Sequence, residues 1–311
     1  MRDAPLVPGR HADVRGEGER LLNRLRAVNR MDVDRRLKRL VRRPVKAALA
    51  KILPALGRFY PEGFKFRTSL FWGERMTVIM PEGFLYVRYG YYEGYLTGAI
   101  LRMVGRGVSF IDVGAHFGYF SLLASRLVGE EGRVHAFEPT PRTFEVLSRN
   151  LGGKRNVVLN KCAVFSGDSG ISLTDYGPEF AGYNSYVAPR TGGGSLGRHQ
   201  PLSLRVQTVT LDDYTRDWGR HPVFIKIDAE SAEWEILNGM RQTLERLRPA
   251  LAIEVGDFKL EGVPTSREVI TRLLGEGYVA YSVGADGLVP HKLQESYAPG
   301  NLVLLPAEGW G

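Results

Sequence analysis

From about residue 108 onward, apolar residues alternate between two rhythms. Continuous apolar runs at 108–113, 134–137, 157–164, 223–227 and 251–255 predict strands buried on both faces, as in a parallel sheet covered by helices. Stretches of helical period follow several of them, at 119–127, 143–150 and 232–247. Residues 278–283 and 301–305 predict two further strands at the C-terminal end. The alternation predicts an α/β fold built on an open, doubly wound, mostly parallel sheet of Rossmann-like type, with ligands bound beyond the carboxyl ends of its strands.

Upstream the pattern differs. Runs at 76–80 and 84–89, separated by Pro81, Glu82 and Gly83, predict a hairpin in an aromatic-rich stretch. Between residues 37 and 56 apolar positions such as Leu37, Leu40, Val41 and Val45 fall at helical spacing among arginines and lysines, an amphipathic helix kinked or restarted at Pro44. Residues 1–20 mix Pro, Gly and charge and predict a disordered start. Residues 166–215 carry weak strand signals at 171–173 and 204–209 around the run Thr191 to Gly197, a flexible insertion. The expected organisation is a helical and partly disordered extension over 1–60 and one domain over 61–311.

Charge sharpens that division. Of 42 basic and 34 acidic side chains, 16 and 6 lie in residues 1–60, so the first fifth carries +10 and the remainder, with 26 and 28, about −2. A nucleic-acid binder that spreads Lys and Arg over its working face is thereby disfavoured. The basic helix reads as packed on the domain with a solvated polar face; the alternative is peripheral attachment to the inner membrane surface through residues 31–56. The single cysteine, Cys162, excludes an intramolecular disulfide framework and a multi-cysteine zinc site. With no apolar run long enough to span a bilayer, a cytoplasmic protein is expected.

The strongest local signal is Phe110-Ile111-Asp112-Val113-Gly114-Ala115-His116-Phe117-Gly118-Tyr119, an apolar strand entering a glycine turn that opens a helix. Glycines let backbone approach a ligand closely, and helix N-terminal N–H groups favour anions. A dinucleotide fingerprint would need a third glycine. The acid inside the strand end suits instead a ligand with an amino-acid tail, whose ammonium needs an acid; the alternative for Asp112 is a helix cap. One strand later, Ala136-Phe137-Glu138-Pro139 places Glu138 where a carboxylate accepts hydrogen bonds from ribose hydroxyls.

These segments, together with Val209-Thr210-Leu211-Asp212-Asp213, Ile225-Lys226-Ile227-Asp228-Ala229-Glu230-Ser231-Ala232-Glu233 and Pro249-Ala250-Leu251-Ala252-Ile253-Glu254, resemble in order the motifs of the FkbM family of S-adenosylmethionine-dependent methyltransferases, over roughly residues 90–255. The resemblance implies the class I methyltransferase sheet and a hydroxyl acceptor on a sugar, glycan or natural product. It also implies S-adenosylmethionine bound by Asp112, Gly114, Ala115, His116, Gly118, Tyr119, Glu138 and Pro139, with Cys162 and Ala163 near the adenine. Two departures stand out: His116 replaces the family's usual Asn, and Ser231 its glycine. His116 reads as a hydrogen-bonding substitute for that Asn; the alternative is a base.

For methyl transfer to a hydroxyl, a general base is expected among the strand-end carboxylates Asp228, Glu230 and Glu254, with Asp228 first. Structural alternatives are a helix cap for Glu230 and an ion pair with Lys226 for Glu254. The same three with Asp257 form an alternative ligand set for Mg²⁺. Tyr119 is a candidate aromatic face for a sulfonium. Tyr89, Tyr91, Tyr92, Tyr95, Tyr183 and Tyr186 read either as stacking platforms for an acceptor or as hairpin packing. Other functions weighed are a membrane- or partner-docking protein on a methyltransferase scaffold, and a nucleic-acid methyltransferase.

Overall fold

A computed structural model describes residues 12–33, 52, 60, 63–177, 186, 201–257 and 260–310. Its first element is helix α1 (Ala12–Val33), followed by an antiparallel hairpin of β1 (Phe64–Ser69) and β2 (Arg75–Met80) and the helices α2 (Phe84–Tyr89) and α3 (Gly94–Met103). Then come β3 (Ser109–Val113), α4 (Tyr119–Val128), β4 (Arg133–Phe137), α5 (Pro141–Leu151) and β5 (Val157–Asn160). Short strands β6 (Ala163–Val164), β7 (Ile171–Asp175), β8 (Leu202–Val206) and β9 (Thr208–Val209) precede helix α6 (Leu211–Tyr214). The chain ends with β10 (Val223–Ile227), α7 (Glu233–Asn238), α8 (Arg241–Leu247), β11 (Ala250–Val255), α9 (Ser266–Gly275), β12 (Tyr278–Gly284), β13 (Gly287–Pro290) and β14 (Gly300–Pro306).

Eight of these strands form one sheet in the order β13-β12-β14-β11-β10-β3-β4-β5. The five strands from β11 to β5 are mutually parallel, and β14 runs antiparallel between β11 and β12. Chain order reverses between β3 and β10, so the crevice expected of a doubly wound sheet opens at their carboxyl ends. Side-chain alternation explains why helices cover both faces. Phe110, Phe224, Ala252 and Val303 enter one core with α1, α3, α4 and α5, whereas Ile111, Ile225, Ile227, Leu251 and Ile253 enter the other with α7, α8 and α9.

Several expectations need correction. Residues 12–20, expected disordered, belong to α1, whose Leu21, Leu22, Leu25 and Val28 are buried in the first core. The hairpin pairs β1 with β2, and 84–89 is not its second strand but helix α2, which buries Tyr86 and Val87 and stops at Gly90. The run 157–164 breaks at Lys161 and Cys162, after which β6 leaves the sheet to pair with β9. The helix expected over 232–247 is two helices. Asp212 takes over the junction: its N–H donates to the Gly239 carbonyl and its carboxylate accepts from the Thr243 N–H at 2.7 Å, capping α8 from outside. The Thr210-Leu211-Asp212-Asp213 motif is thus structural, with Thr210 capping α6 through the Asp213 N–H.

In the expected insertion, β7 and β8 pair antiparallel, close to the two predicted strands. The glycine run at 191–197, Tyr183, His199 and all of the basic stretch 37–56 except Ile52 lie outside the described residues. Among the described residues no helix is long and apolar enough to cross a membrane.

Candidate active site

The carboxyl ends of β3, β4 and β10 open into a cavity of about 250 Å³. Of the ten residues expected to bind cofactor, eight line it: Gly114, Ala115, His116, Tyr119, Glu138, Pro139, Cys162 and Ala163. Asp228, Glu230 and Glu254 line it as well. Gly118 and Asp112 do not.

Gly118 serves the loop rather than the cavity. Its φ is +88°, and a Cβ there would lie 2.7 Å from a Leu147 methyl of α5. Gly114, at φ +75°, passes so close to the next strand that a Cβ would meet the Asp228 carbonyl oxygen at 1.9 Å. Only glycine meets both demands at either position. A side chain from α5 holds the loop from beneath: Asn150 Nδ2 donates to the carbonyls of Phe117 and Thr77, and Asn150 Oδ1 accepts from the Thr77 N–H, each at 2.8 Å.

Asp112 is fully buried. It lies directly across from Lys226 on the neighbouring parallel strand, so both side chains project to the same face of the sheet. Ser121 Oγ donates to Asp112 Oδ2 at 2.6 Å, and Lys226 Nζ lies 3.3 Å from Oδ1. The expected ammonium ligand is thereby a partner of Lys226, and neither a cavity wall nor a helix cap. Lys226, only 2% exposed, also reaches Asp228 Oδ2 at 3.2 Å and the Gly114 carbonyl at 3.3 Å. Burial opposes its charge, but Asp228 and Asp112 outweigh that and hold the ammonium well above its ordinary pKa. The pairing expected between Lys226 and Glu254 is replaced by this bridge.

Glu138 is anchored by backbone. The His116 N–H donates to Oε2 at 3.1 Å and the Thr140 N–H to Oε1 at 2.8 Å. Burial nonetheless raises its pKa, against the attraction of His116 and these hydrogen bonds. His116 has a left-handed backbone, φ 52°, which Asn tolerates better than most residues. Its Nε2 lies 3.1 Å from Glu82 Oε1, at ion-pair distance. Burial disfavours the imidazolium, but Glu82 prevails and raises the pKa. Glu82, from the turn after β2, is a cavity residue that no motif indicated.

Tyr119 lines the cavity, yet its ring is packed against Trp72, Tyr86 and Phe120, and its hydroxyl lies 3.2 Å from Thr97 Oγ1. Of the other tyrosines considered, Tyr92 and Tyr186 line the cavity; Tyr89 and Tyr91 pack on each other, and Tyr95 is exposed. The described histidines outside the loop have structural partners: His135 meets Tyr214, His221 meets Ser109, and His291 bridges Ser282 and Tyr297.

Beside the glycine loop the wall is acidic. Asp228, Glu230 and Glu254 bring one oxygen each within 4.8 Å of one another, close enough to share a cation. Asp257, the fourth expected ligand, is elsewhere: its carboxylate accepts from the Ser266 and Tyr297 N–H groups and fixes the loop before α9. Crowding displaces the proton equilibria. Burial, then Asp228 and Glu230, push Glu254 up to about 10, so it is a neutral acid near pH 7 and a donor rather than a base. Burial also raises Glu233 to about 7, against an Ala229 N–H donated to it at 3.2 Å. Glu93 completes this wall; it stands before α3, and the sequence reading passed over it.

Between Asp228 and α7 the chain turns through two consecutive left-handed residues, Glu230 at φ 51° and Ser231 at φ 80°. Ser231 thus keeps the backbone that glycine would adopt freely, so the turn survives the substitution under strain. Ser231→Gly is expected to stabilise the fold by about 0.5–1 kcal/mol, read by urea denaturation, because relief of a left-handed side chain exceeds the added freedom of the unfolded chain.

The strand order with its antiparallel β14, the glycine loop and the anchored acid after β4 together define a class I methyltransferase fold. The family description "Methyltransferase FkbM domain" matches residues 112–280, more than half of the sequence. The chain belongs to the FkbM family of S-adenosylmethionine-dependent methyltransferases. Methyltransferase 1 of Beauveria bassiana (strain ARSEF 2860) is 26% identical over 163 residues, 48% of this chain and 65% of that protein. Methyltransferase sdnD of Sordaria araneosa is 28% identical over 155 residues, 42% of this chain and 59% of that protein. The chain thus spans less than two thirds of either relative's length. Among solved structures, Aeropyrum pernix fibrillarin with bound S-adenosyl-L-methionine aligns over 78% of this chain and 93% of its own, at 12% identity and a TM-score of 0.38, too distant to bear on function.

Proposed function

We propose that the protein transfers a methyl group from S-adenosylmethionine to a hydroxyl of a sugar, glycan or natural product. The observation that carries this reading is one cavity lined both by the glycine loop with Glu138 and by an adjoining carboxylate cluster. The residues fit the cofactor. Phe137, Pro139, Cys162, Ala163, Ile171 and Leu173 give an apolar slot for a purine, and Glu138, oriented by two backbone donors, keeps lone pairs for ribose hydroxyls.

When bound, the cofactor would supply a methyl group on a sulfonium for transfer to the acceptor oxygen, the carbon–sulfur electron pair staying on sulfur, and the hydroxyl proton would leave to a base of the protein. Asp228 is that base. Lys226 engages its Oδ2 and holds the side chain in place, leaving Oδ1 to take the proton. Glu254, whose pKa burial and Asp228 push up to about 10, is the weaker candidate at neutral pH.

Glu138→Ala tests the cofactor half. Calorimetric titration with S-adenosylhomocysteine should show affinity about 10- to 100-fold weaker than in the unmodified protein, the range for losing hydrogen bonds to a charged group. Equal affinity in both proteins would remove Glu138 from the site, and no binding to either would reject the reading altogether.

A further inference from the structure

Two polar side chains from distant parts of the chain meet beside the acidic wall. Glu93 precedes α3 and lines the cavity; Asn301, on β14, lies directly across from Glu254 of β11 in antiparallel register. Asn301 Nδ2 donates to Glu93 Oε1 at 3.1 Å, which fixes the amide so that Asn301 Oδ1 is an acceptor. Glu93 Oε2 and Asn301 Oδ1 are both buried and have no hydrogen-bond partner. Buried acceptors left in this state are costly; Glu93 lines the cavity, where a ligand can bring a donor, whereas Asn301 does not line it and holds Glu93 in place. Glu93 also fails to cap α3 through its side chain, so helix capping does not account for it.

The surrounding charge narrows the ligand. Among the described residues lining the cavity the cations are Lys226 and His116. Lys226 is engaged by Asp112 and Asp228, and His116 faces Glu82 beside the glycine loop. Among the described residues no further cation lines the cavity to receive an anionic acceptor next to Glu93, Asp228, Glu230 and Glu254. Glu93 and Asn301 both fall outside the matched span 112–280, so the flanks of the family domain build this corner.

We infer that Glu93, held in place by Asn301, selects the acceptor: it takes a hydrogen bond from an uncharged or aminated polyhydroxyl acceptor and turns away phosphorylated or carboxylated ones. The inference rests on the methyl-transfer reading of the same cavity. Burial and the neighbouring Asp228 push Glu93 up to about 7, and a hydroxyl or ammonium donor arriving at Oε2 would restore the charged form.

The test uses the full chain and tritiated S-adenosylmethionine, with methyl α-glucoside, myo-inositol and glucosamine set against glucose 6-phosphate and glucuronate at equal concentration. Transfer is expected to at least one of the first three and to neither anion. Glu93→Gln and Asn301→Ala should raise the acceptor KM by about tenfold or more while the KM for S-adenosylmethionine stays unchanged, a split that general loosening of the fold would not give. Comparable transfer to an anion, transfer to none of the three, or an unaltered acceptor KM in both variants would overturn the pair's role. Calorimetry with S-adenosylhomocysteine separates the two failures: a protein that binds it but fails these tests loses only this inference, whereas one that does not bind it loses the methyltransferase reading.

Discussion

Lys226→Met is expected to destabilise the fold by about 3–5 kcal/mol, the largest stability effect of any single substitution considered. Met matches the length of the lysine stem and leaves no void, so the loss isolates the charge. With Lys226 gone, Asp112 remains fully buried with Ser121 as its hydrogen-bond donor, and Asp228 loses its counter-ion at the strand end. Removing one member of a buried ion pair is costly because the other is left uncompensated. Asp112→Asn alone should also destabilise. The double variant Lys226→Met with Asp112→Asn should cost less than the sum of the two, since no unpaired charge remains at Asp112. Urea denaturation of the four proteins checks this, and strictly additive losses would show that the pair does not act as a unit.

Asp228→Asn should lower kcat about 10²- to 10⁴-fold, the range that general-base catalysis supplies. The substitution keeps the shape and a hydrogen bond to Lys226 but removes the proton acceptor. Glu254 cannot take its place at neutral pH, because it already holds a proton. With Asp228 neutral, one of the charges that raise Glu254 is gone, so its pKa falls toward the ordinary carboxylate range. Residual activity in the variant should therefore rise with pH as Glu254 ionises and becomes a substitute base. Single-turnover transfer to whichever neutral acceptor responds, measured across pH with S-adenosylhomocysteine affinity as the control, reads both effects. An unchanged kcat would move the role of base to another carboxylate.

The parallel core was legible because strands buried on both faces write themselves as unbroken apolar runs: 223–227 is read without error, and 134–137 to within one residue. Runs that pack on one face only are ambiguous. Residues 84–89 contain as many aromatic and β-branched residues as a strand, and what makes them helical is burial of Tyr86 and Val87 in the first core, Tyr86 against Tyr92, Phe117 and Tyr119, a tertiary fact. The two halves of 232–247 are separated by Asp212, twenty residues upstream of the span's start, which no local pattern reveals.

At the site, backbone-defined features were readable: the glycine loop, Glu138 after its strand, and the three acids at strand ends. Roles fixed by distant partners were not. Asp112 reads as a ligand until parallel register puts Lys226 beside it. Glu93 becomes meaningful only with Asn301, 208 residues away. Glu82 likewise gains its place from His116, 3.1 Å away.

Asn150 ties the hairpin to the glycine loop with three hydrogen bonds from a single amide, two to Thr77 and one to Phe117. The N-terminal hairpin is therefore no detachable ornament on a self-sufficient domain. Trimming the chain to begin after β2 would remove two of those three hydrogen bonds and leave the Asn150 amide only the Phe117 carbonyl, so the glycine loop would lose part of its support before any residue of the FkbM domain itself had been touched.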